Sequence, residues 1–320
     1  MSTDASQAQS PSKYDRLIAL AQAVPPVSTV VVHPCDETSL RGAVDSAKAG
    51  IIRPILVGPE QKIRDTADKG GFDITGFEIV DAAHSEDAAA KGVELIQAAK
   101  GEMLMKGSLH TDELMRAVTA KAGGLRTGRR ISHVFVMDVP AYTETIFVTD
   151  AAINIFPDLG AKRDIIQNAI DLYNQAGFGQ SPRVAILSAV ETVTATIPST
   201  IDAAALCKMA DRGQITGGLL DGPLAFDNAI DVEAARIKGI KSEVAGRAQI
   251  LVVPNLEAGN MLAKNLAYFA KADGAGIVLG ARVPVVLTSR ADTARARMAS
   301  CAIASLYAHA RRQRAPTVAG

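Results

Sequence analysis

Three cysteines in 320 residues, Cys35, Cys207 and Cys301, are too few and too far apart for a disulfide framework, and they are odd in number. None sits in a Cys-x-x-Cys spacing, and none of the five histidines (His33, His84, His110, His133, His309) has a histidine or cysteine at i+3 or i+4, so no metal is expected. Reduced thiols point to the cytoplasm. Neither sign of charge prevails: 34 basic residues stand against 34 acidic ones, so no net field draws in nucleic acid or an anionic membrane. No apolar run approaches the ~20 residues that span a bilayer. Met1–Ser12 has neither the basic start nor the apolar stretch of a secretion signal and reads as a disordered tail. No G-x-G-x-x-G follows the first strand, and no G-x-x-x-x-G-K-[ST] occurs anywhere, so a standard dinucleotide site and a P-loop are both excluded.

What is present is enough apolar matter, 48% of residues, for a large core. A chain of this length suits two domains with a ligand cleft between them. Short apolar runs alternate with longer amphipathic or alanine-rich segments, the pattern of strands and helices around parallel sheets, so the fold class is α/β. Strands are expected at Ser28–Val32, Ile52–Val57, Phe77–Val80, His133–Val139, Thr145–Thr149, Arg183–Ser188, Gly217–Leu220, Gln249–Val253, Gly276–Leu279 and Val283–Thr288. Helices are expected at Asp36–Ala49, Ser85–Ala99, Asp112–Ala120, Lys162–Gln175, Thr200–Ala210, Leu256–Lys271 and Asp292–Ala310, several opened by Asp, Ser or Thr. The Gly- and Arg-rich stretch Lys121–Arg130 is the best break. It divides the chain into a first domain of residues 1–127 plus 276–320 and a second of residues 128–275.

Three strand ends carry the candidate chemistry. In Val283–Asp292 a buried strand runs into Ser289, Arg290 and Asp292 ahead of a helix, whose first amides have no internal partner and carry the positive end of the macrodipole. In Met105–Arg116 the turn at Gly107 allows close backbone approach. Ser108 and Thr111 offer hydroxyls there, and Lys106 and Arg116 offer charge. In Leu220–Ile230 the carboxylates of Asp221 and Asp227 flank a Gly-Pro turn, with Asn228 beside them. Each stretch has a plainer explanation too: Asp292 and Thr111 or Asp112 as helix caps, Asp112 paired with Arg116 at i,i+4, and aspartates that serve only their own turn. Among the histidines only His110 stands beside a candidate site, and it reads as a packing or hydrogen-bonding residue.

Together these segments resemble the phosphate acetyltransferase and phosphate butyryltransferase family from about Ser28 to Ala310, the butyryltransferase branch most of all. The matching residues are Lys106-Gly-Ser with Arg116 downstream, Leu187-Ser-Ala-Val-Glu191, Pro198–Ala205, Asp221–Asn228, Leu256-Glu-Ala-Gly-Asn260 and Leu287–Asp292. The resemblance implies two α/β/α domains, similar to the isocitrate and isopropylmalate dehydrogenase fold, around a cleft. It also implies a homodimer that moves an acyl group between coenzyme A and inorganic phosphate, with acyl-CoA, phosphate and acyl phosphate as its partners. Coenzyme A would be a substrate, and no cofactor would be tightly bound. Ser289, Arg290, Arg116 and Asp292 would be catalytic, and Lys106, Gly107, Ser108, Thr111, Asp221, Asp227 and Asn228 would bind substrate. The acetyltransferase branch carries a proposed base at a place that falls near Ala296 in this chain, so the resemblance makes Asp292 the substitute base toward the thiol, with Asp227 second. Two other readings stand beside it: a metal- and nicotinamide-dependent decarboxylating dehydrogenase on a related fold, and a non-catalytic binder of acyl phosphate or coenzyme A.

Overall fold

Short β-branched runs form strands and the segments between them form helices, so the local preferences read along the chain are kept in three dimensions. The computed structural model describes residues 12–288 and 292–314. The elements are α1 (Lys13–Gln22), β1 (Val27–Val32), α2 (Glu37–Lys48), β2 (Ile52–Gly58), α3 (Glu60–Gly70), β3 (Glu78–Asp81), α4 (Ser85–Gln97), β4 (Met103–Lys106), α5 (Thr111–Thr119), β5 (Ser132–Asp138) and β6 (Ile146–Thr149). They continue with α6 (Leu159–Gln175), β7 (Arg183–Leu187), α7 (Pro198–Asp211), β8 (Leu219–Leu224), α8 (Phe226–Ile230), α9 (Val232–Ile237), β9 (Ile250–Val252), α10 (Leu256–Tyr268), β10 (Asp273–Leu279), β11 (Val285–Val286) and α11 (Ala294–Arg314). The sequence pattern did not announce α1, α3, α8 or α9. In α3 only Ile63 and Ala67 are buried, so its apolar stripe is two residues wide on an otherwise charged helix.

Among the described residues the strands form one sheet of eleven, in the order β3-β2-β1-β4-β11-β10-β5-β6-β9-β7-β8. Strands β3, β2, β1, β4 and β11 run parallel to one another, and β10 is antiparallel to both of its neighbours. Strand β6 is antiparallel to β5 and parallel to β9, which continues in the same direction through β7 and β8. The two parallel groups therefore point opposite ways, and their carboxyl ends emerge at opposite ends of the strand direction.

Alternation along the strands sends successive side chains to opposite faces. On one face the alanine-rich α11 lies across both strand groups. Its Ala299, Ile303 and Tyr307 pack with Val134, Val136 and Ile250, while its Cys301, Ala302 and Ala304 pack with Val31, Met103 and Val286. On the other face, α4 and α5 cover the first group through Val93, Leu114 and Val118 against Val30 and Leu104. Around Leu266, α10 covers the second group against Met137, Val148 and Leu251. Each fully buried Val or Leu contributes about 1.5–3 kcal/mol. Between α5 and α10 the sheet is left uncovered, and there β10 presents Gly274 and Gly276. A Cβ at Gly274 would lie 3.2 Å from Met137 Sδ, and one at Gly276 would lie 2.6 Å from the Leu287 carbonyl oxygen. Side chains at these two positions would fill the gap.

Candidate active site

The uncovered strip is the floor of a cavity of about 890 Å³. Its floor is His133, Phe135 and Met137 of β5 with Gly274 of β10, and one wall is the α10 row Asn260, Ala263, Lys264, Ala267 and Tyr268. The far end is made by Lys106, His110 and Thr111 from the β4–α5 turn and by Leu287, Thr288, Asp292, Thr293 and Ala296 around the start of α11. Phe135, Met137, Ala263 and Ala267 give the cavity an apolar stretch, charged and hydroxyl groups gather where β4 and β11 end, and Lys264, Lys271 and Asp273 add charge on the α10 and β10 side.

At the β4 end the chain turns through Gly107, whose backbone is pressed onto β1: a Cβ there would stand 2.4 Å from both the Val32 and His33 carbonyl oxygens. The Gly107 and Ser108 amides donate to Val32 O and His33 O, each at 2.8 Å. The Ser108 hydroxyl donates to His33 O at 2.8 Å and lies 2.9 Å from His33 Nδ1. Gly107 and Ser108 therefore fasten β4 to β1, and Ser108 faces a separate polar hollow with His33, Cys35, Asp36 and Lys62. Of the four substrate-binding residues expected on this turn, Lys106 and Thr111 line the cavity; Gly107 and Ser108 hold the turn that presents them.

Arg116 does not line the cavity. It sits on α5 with its side chain 67% exposed, pairing with Glu86 at 3.3 Å and with Asp112 at 3.7 Å, the i,i+4 partner that the helix spacing offers. Ser289 and Arg290 lie outside the described residues. Thr288 and Asp292, which bracket them in the chain, both line the cavity. The helix expected from Asp292 begins instead at Ala294, with the Thr293 hydroxyl accepting from the Ala296 amide at 3.0 Å. Thr293 is the cap, so Asp292 stands ahead of the helix at the cavity wall. Ala296, where the acetyltransferase branch carries its proposed base, puts a methyl group there, 3% exposed.

The third expected segment is elsewhere. Strand β8 is the last in the sheet and β4 is seven places away, roughly 34 Å at ideal strand spacing. Strand β8 also points the opposite way, so Asp221, Asp227 and Asn228 do not meet the β4 and β11 ends. Asp221 accepts from the next amide, Gly222 N, at 2.8 Å. Asn228 is fully buried and donates to Glu191, which pairs with Lys238 at 2.7 Å, and Lys238 lies 3.7 Å from Asp227. These residues engage one another and not the cavity, although the buried Asn228 Oδ1 finds no hydrogen-bond partner among the described residues.

Several cavity residues were not anticipated. Burial alone pushes the His133 imidazole down to about 3. His110, the histidine expected beside a candidate site, lines this cavity, and so does His133, which the sequence does not single out. Gly274 lies outside the strand expected at Gly276–Leu279 but within β10; alternating glycines in a strand are the signal for such a close approach. At the end of β6, Asp150 accepts from the amides of Ala152, Ile153 and Asn154 at 2.9, 3.0 and 3.2 Å, fixing the turn whose Ala151 and Ala152 line the cavity. Burial raises that carboxyl against those hydrogen bonds. Gly259 lets α10 approach, since a Cβ there would come within 2.7 Å of Val253 and 3.0 Å of Ala151. Burial also raises all three thiols, Cys35 and Cys301 to about 11 and Cys207 to about 12, so none is a ready nucleophile. Among the described residues no group of three or more His, Cys, Asp or Glu side chains could hold a metal ion, and no helix is long and apolar enough to cross a membrane.

Comparison with known proteins gives a consistent result. The family profile described as phosphate acetyl/butaryl transferase matches residues 84–305. A phosphate acetyltransferase of Rhizobium meliloti is 72% identical over 302 residues, 94% of this chain and 95% of that protein. A phosphate butyryltransferase of Clostridium acetobutylicum is 44% identical over 273 residues, 85% of this chain and 90% of that protein. The crystal structure of a phosphotransacetylase from Streptococcus pyogenes superposes with a TM-score of 0.80 at 23% identity, covering 92% of this chain and 98% of that one, a likeness of fold.

Proposed function

Because the chain belongs to the phosphate acetyl/butaryl transferase family and is a phosphate acyltransferase, we propose that it exchanges coenzyme A and inorganic phosphate on a short acyl group in the cavity between α5 and α10. One observation carries the location: Lys106, Thr111, Thr288 and Asp292, from turns far apart in sequence, line one end of a single cavity that also has an apolar stretch at Phe135, Met137, Ala263 and Ala267. Charge at one end suits phosphate, and the apolar stretch suits an acyl chain and the arm of the thiol.

In the direction of acyl-CoA synthesis, Asp292 takes the thiol proton and the sulfur attacks the carbonyl carbon of the acyl phosphate. A thiol of ordinary pKa ~8.5 is mostly protonated at neutral pH, so a nearby carboxylate raises the reactive fraction. Negative charge gathers on the carbonyl oxygen, the carbon–oxygen bond to phosphate breaks, and phosphate leaves with the bonding pair. Lys106, Ser289 and Arg290 stabilise both charges, aided by the amides that open α5 and α11. Coenzyme A is a substrate, and the reading requires no tightly bound cofactor. Arg116, already paired on the surface, is left out of the reacting set.

The division into domains 1–127 plus 276–320 and 128–275 belongs to the proposal, and so does the cavity as the cleft between them. The opposed directions of the two strand groups on either side of β10 support it. We further assign a cytoplasmic homodimer. Exposed apolar side chains such as Phe156 and Phe269, 75% and 86% exposed, support a covered face. The test of activity is phosphate- or arsenate-dependent release of free thiol from acetyl-CoA and butyryl-CoA. No release from any short acyl-CoA overturns it, and tight binding without turnover would make the protein a binder instead.

A further inference from the structure

We propose that His133 contacts the substrate directly, its imidazole N–H donating a hydrogen bond to the acyl carbonyl oxygen; this rests on the acyl-transfer reading given above. His133 lines the cavity and is 2% exposed, yet its Nδ1 has no hydrogen-bond partner among the described residues. Removing an imidazole nitrogen from water without pairing it is a penalty that an apolar residue would avoid, and buried polar groups are paired as a rule. An imidazole with one unpaired nitrogen at the floor of a cavity therefore points to a partner supplied from the cavity.

The ring is also held in place. Phe135 packs edge-on against it, with centroids 4.3 Å apart and planes at 71°. Gly276 makes room on the adjacent strand: a Cβ there would lie 3.0 Å from His133 Nε2 and 2.6 Å from the Leu287 carbonyl oxygen, so the imidazole and the end of β11 crowd the same point. The ring thus sits beside the end of β11, where Leu287 and Thr288 line the same cavity. Burial lowers the imidazole to about 3, which keeps it neutral at working pH. A neutral imidazole carries one N–H donor and no charge.

The test compares wild type with His133→Phe, which keeps a ring against Phe135, and with His133→Asn and His133→Gln, which restore an N–H donor. We expect His133→Phe to lower kcat roughly tenfold to a hundredfold, the lower part of the range for one lost oxyanion donor. KM for coenzyme A should stay within about twofold, because the lost contact is to the acyl group. One of the amide variants should recover part of the loss. With [1-13C]acetyl-CoA bound in the absence of phosphate, the carbonyl stretch should move to lower frequency in wild type and return to its free position in His133→Phe. Unchanged kcat in a folded His133→Phe, or the same carbonyl frequency in both proteins, overturns the proposal. Should His133→Phe fail to fold, 15N-histidine-labelled wild type decides. Acetyl-CoA must shift one imidazole signal that coenzyme A alone leaves in place, and no such shift overturns the assignment. Thiol release by wild type is measured first. Its absence sinks the acyl-transfer reading, whereas its presence with an indifferent His133 sinks only this inference.

Discussion

The end of β4 and the end of β8 look alike in sequence: each joins an apolar run, a glycine and charged or polar residues to a short helix, although Asp221 and the expected Gly-Pro turn lie within β8 and Asp227 and Asn228 within α8. In the structure they diverge. Lys106 and Thr111 open onto a cavity because the sheet beside them lacks a covering helix and β10 contributes glycines instead of side chains. Asp227 and Asn228 close onto Glu191 and Lys238. A strand end becomes a site only where the neighbouring layer leaves space over it.

This contrast can be broken from either side. The largest effect is expected from Asp292→Asn, which should cost turnover on the order of a hundredfold to ten-thousandfold, the range for a lost general base, with the loss shrinking as pH is raised and the thiol ionises by itself. Thiol release followed from pH 6 to 9 checks it, and a pH-independent deficit would remove Asp292 from that role. Next, Arg290→Ala should lower kcat roughly a hundredfold to a thousandfold; activity within a few fold of wild type breaks the comparison at its functional end. Gly276→Ala should destabilise the fold by about 1–3 kcal/mol, because the new methyl meets a backbone carbonyl that cannot yield. Urea denaturation measures that cost.

Acid should act through His133. Its folded value, about 3, lies below the ordinary ~6.5, so the unfolded chain gains a proton that the folded one refuses. That contribution is complete above about pH 6.5 and is lost at about 1.4 kcal/mol per pH unit as pH falls toward 3. Between pH 7 and 4.5 the denaturation midpoint of wild type should therefore fall relative to that of His133→Phe, and parallel curves would refute the assignment. The smallest effect belongs to the β8 turn: Asp227→Asn removes an exposed ion pair, costs less than about 1 kcal/mol, and leaves turnover within about threefold. A large loss of activity there would show that the β8 turn serves the reaction after all.

Legibility followed burial. The cap Asp36, whose side chain accepts from Ser39 N at 2.7 Å, and the cap Asn255, accepting from Ala258 N at 3.0 Å, stand where the sequence pattern opens helices. Helix α3 was missed because two buried residues are too few to show a period. Of the site, Lys106, Thr111 and Asp292 were legible as strand-end polar residues, and their shared cavity supports the reading. Arg116 was readable only as a charge on a helix, and its direction depends on Glu86, thirty residues earlier in the chain. His133 was not legible at all, since nothing local distinguishes a histidine in a strand from any other core residue.

Local preference and apolar period act over a few residues, and they sufficed for the α/β class, most strands and helices, and the short polar segments that mark the family. Strand order, the opposed directions of the two parallel groups and the gap between α5 and α10 are set by contacts between residues far apart in the chain. Only the folded protein could therefore decide that the β4 and β11 ends share a cavity while β8 stands at the far edge.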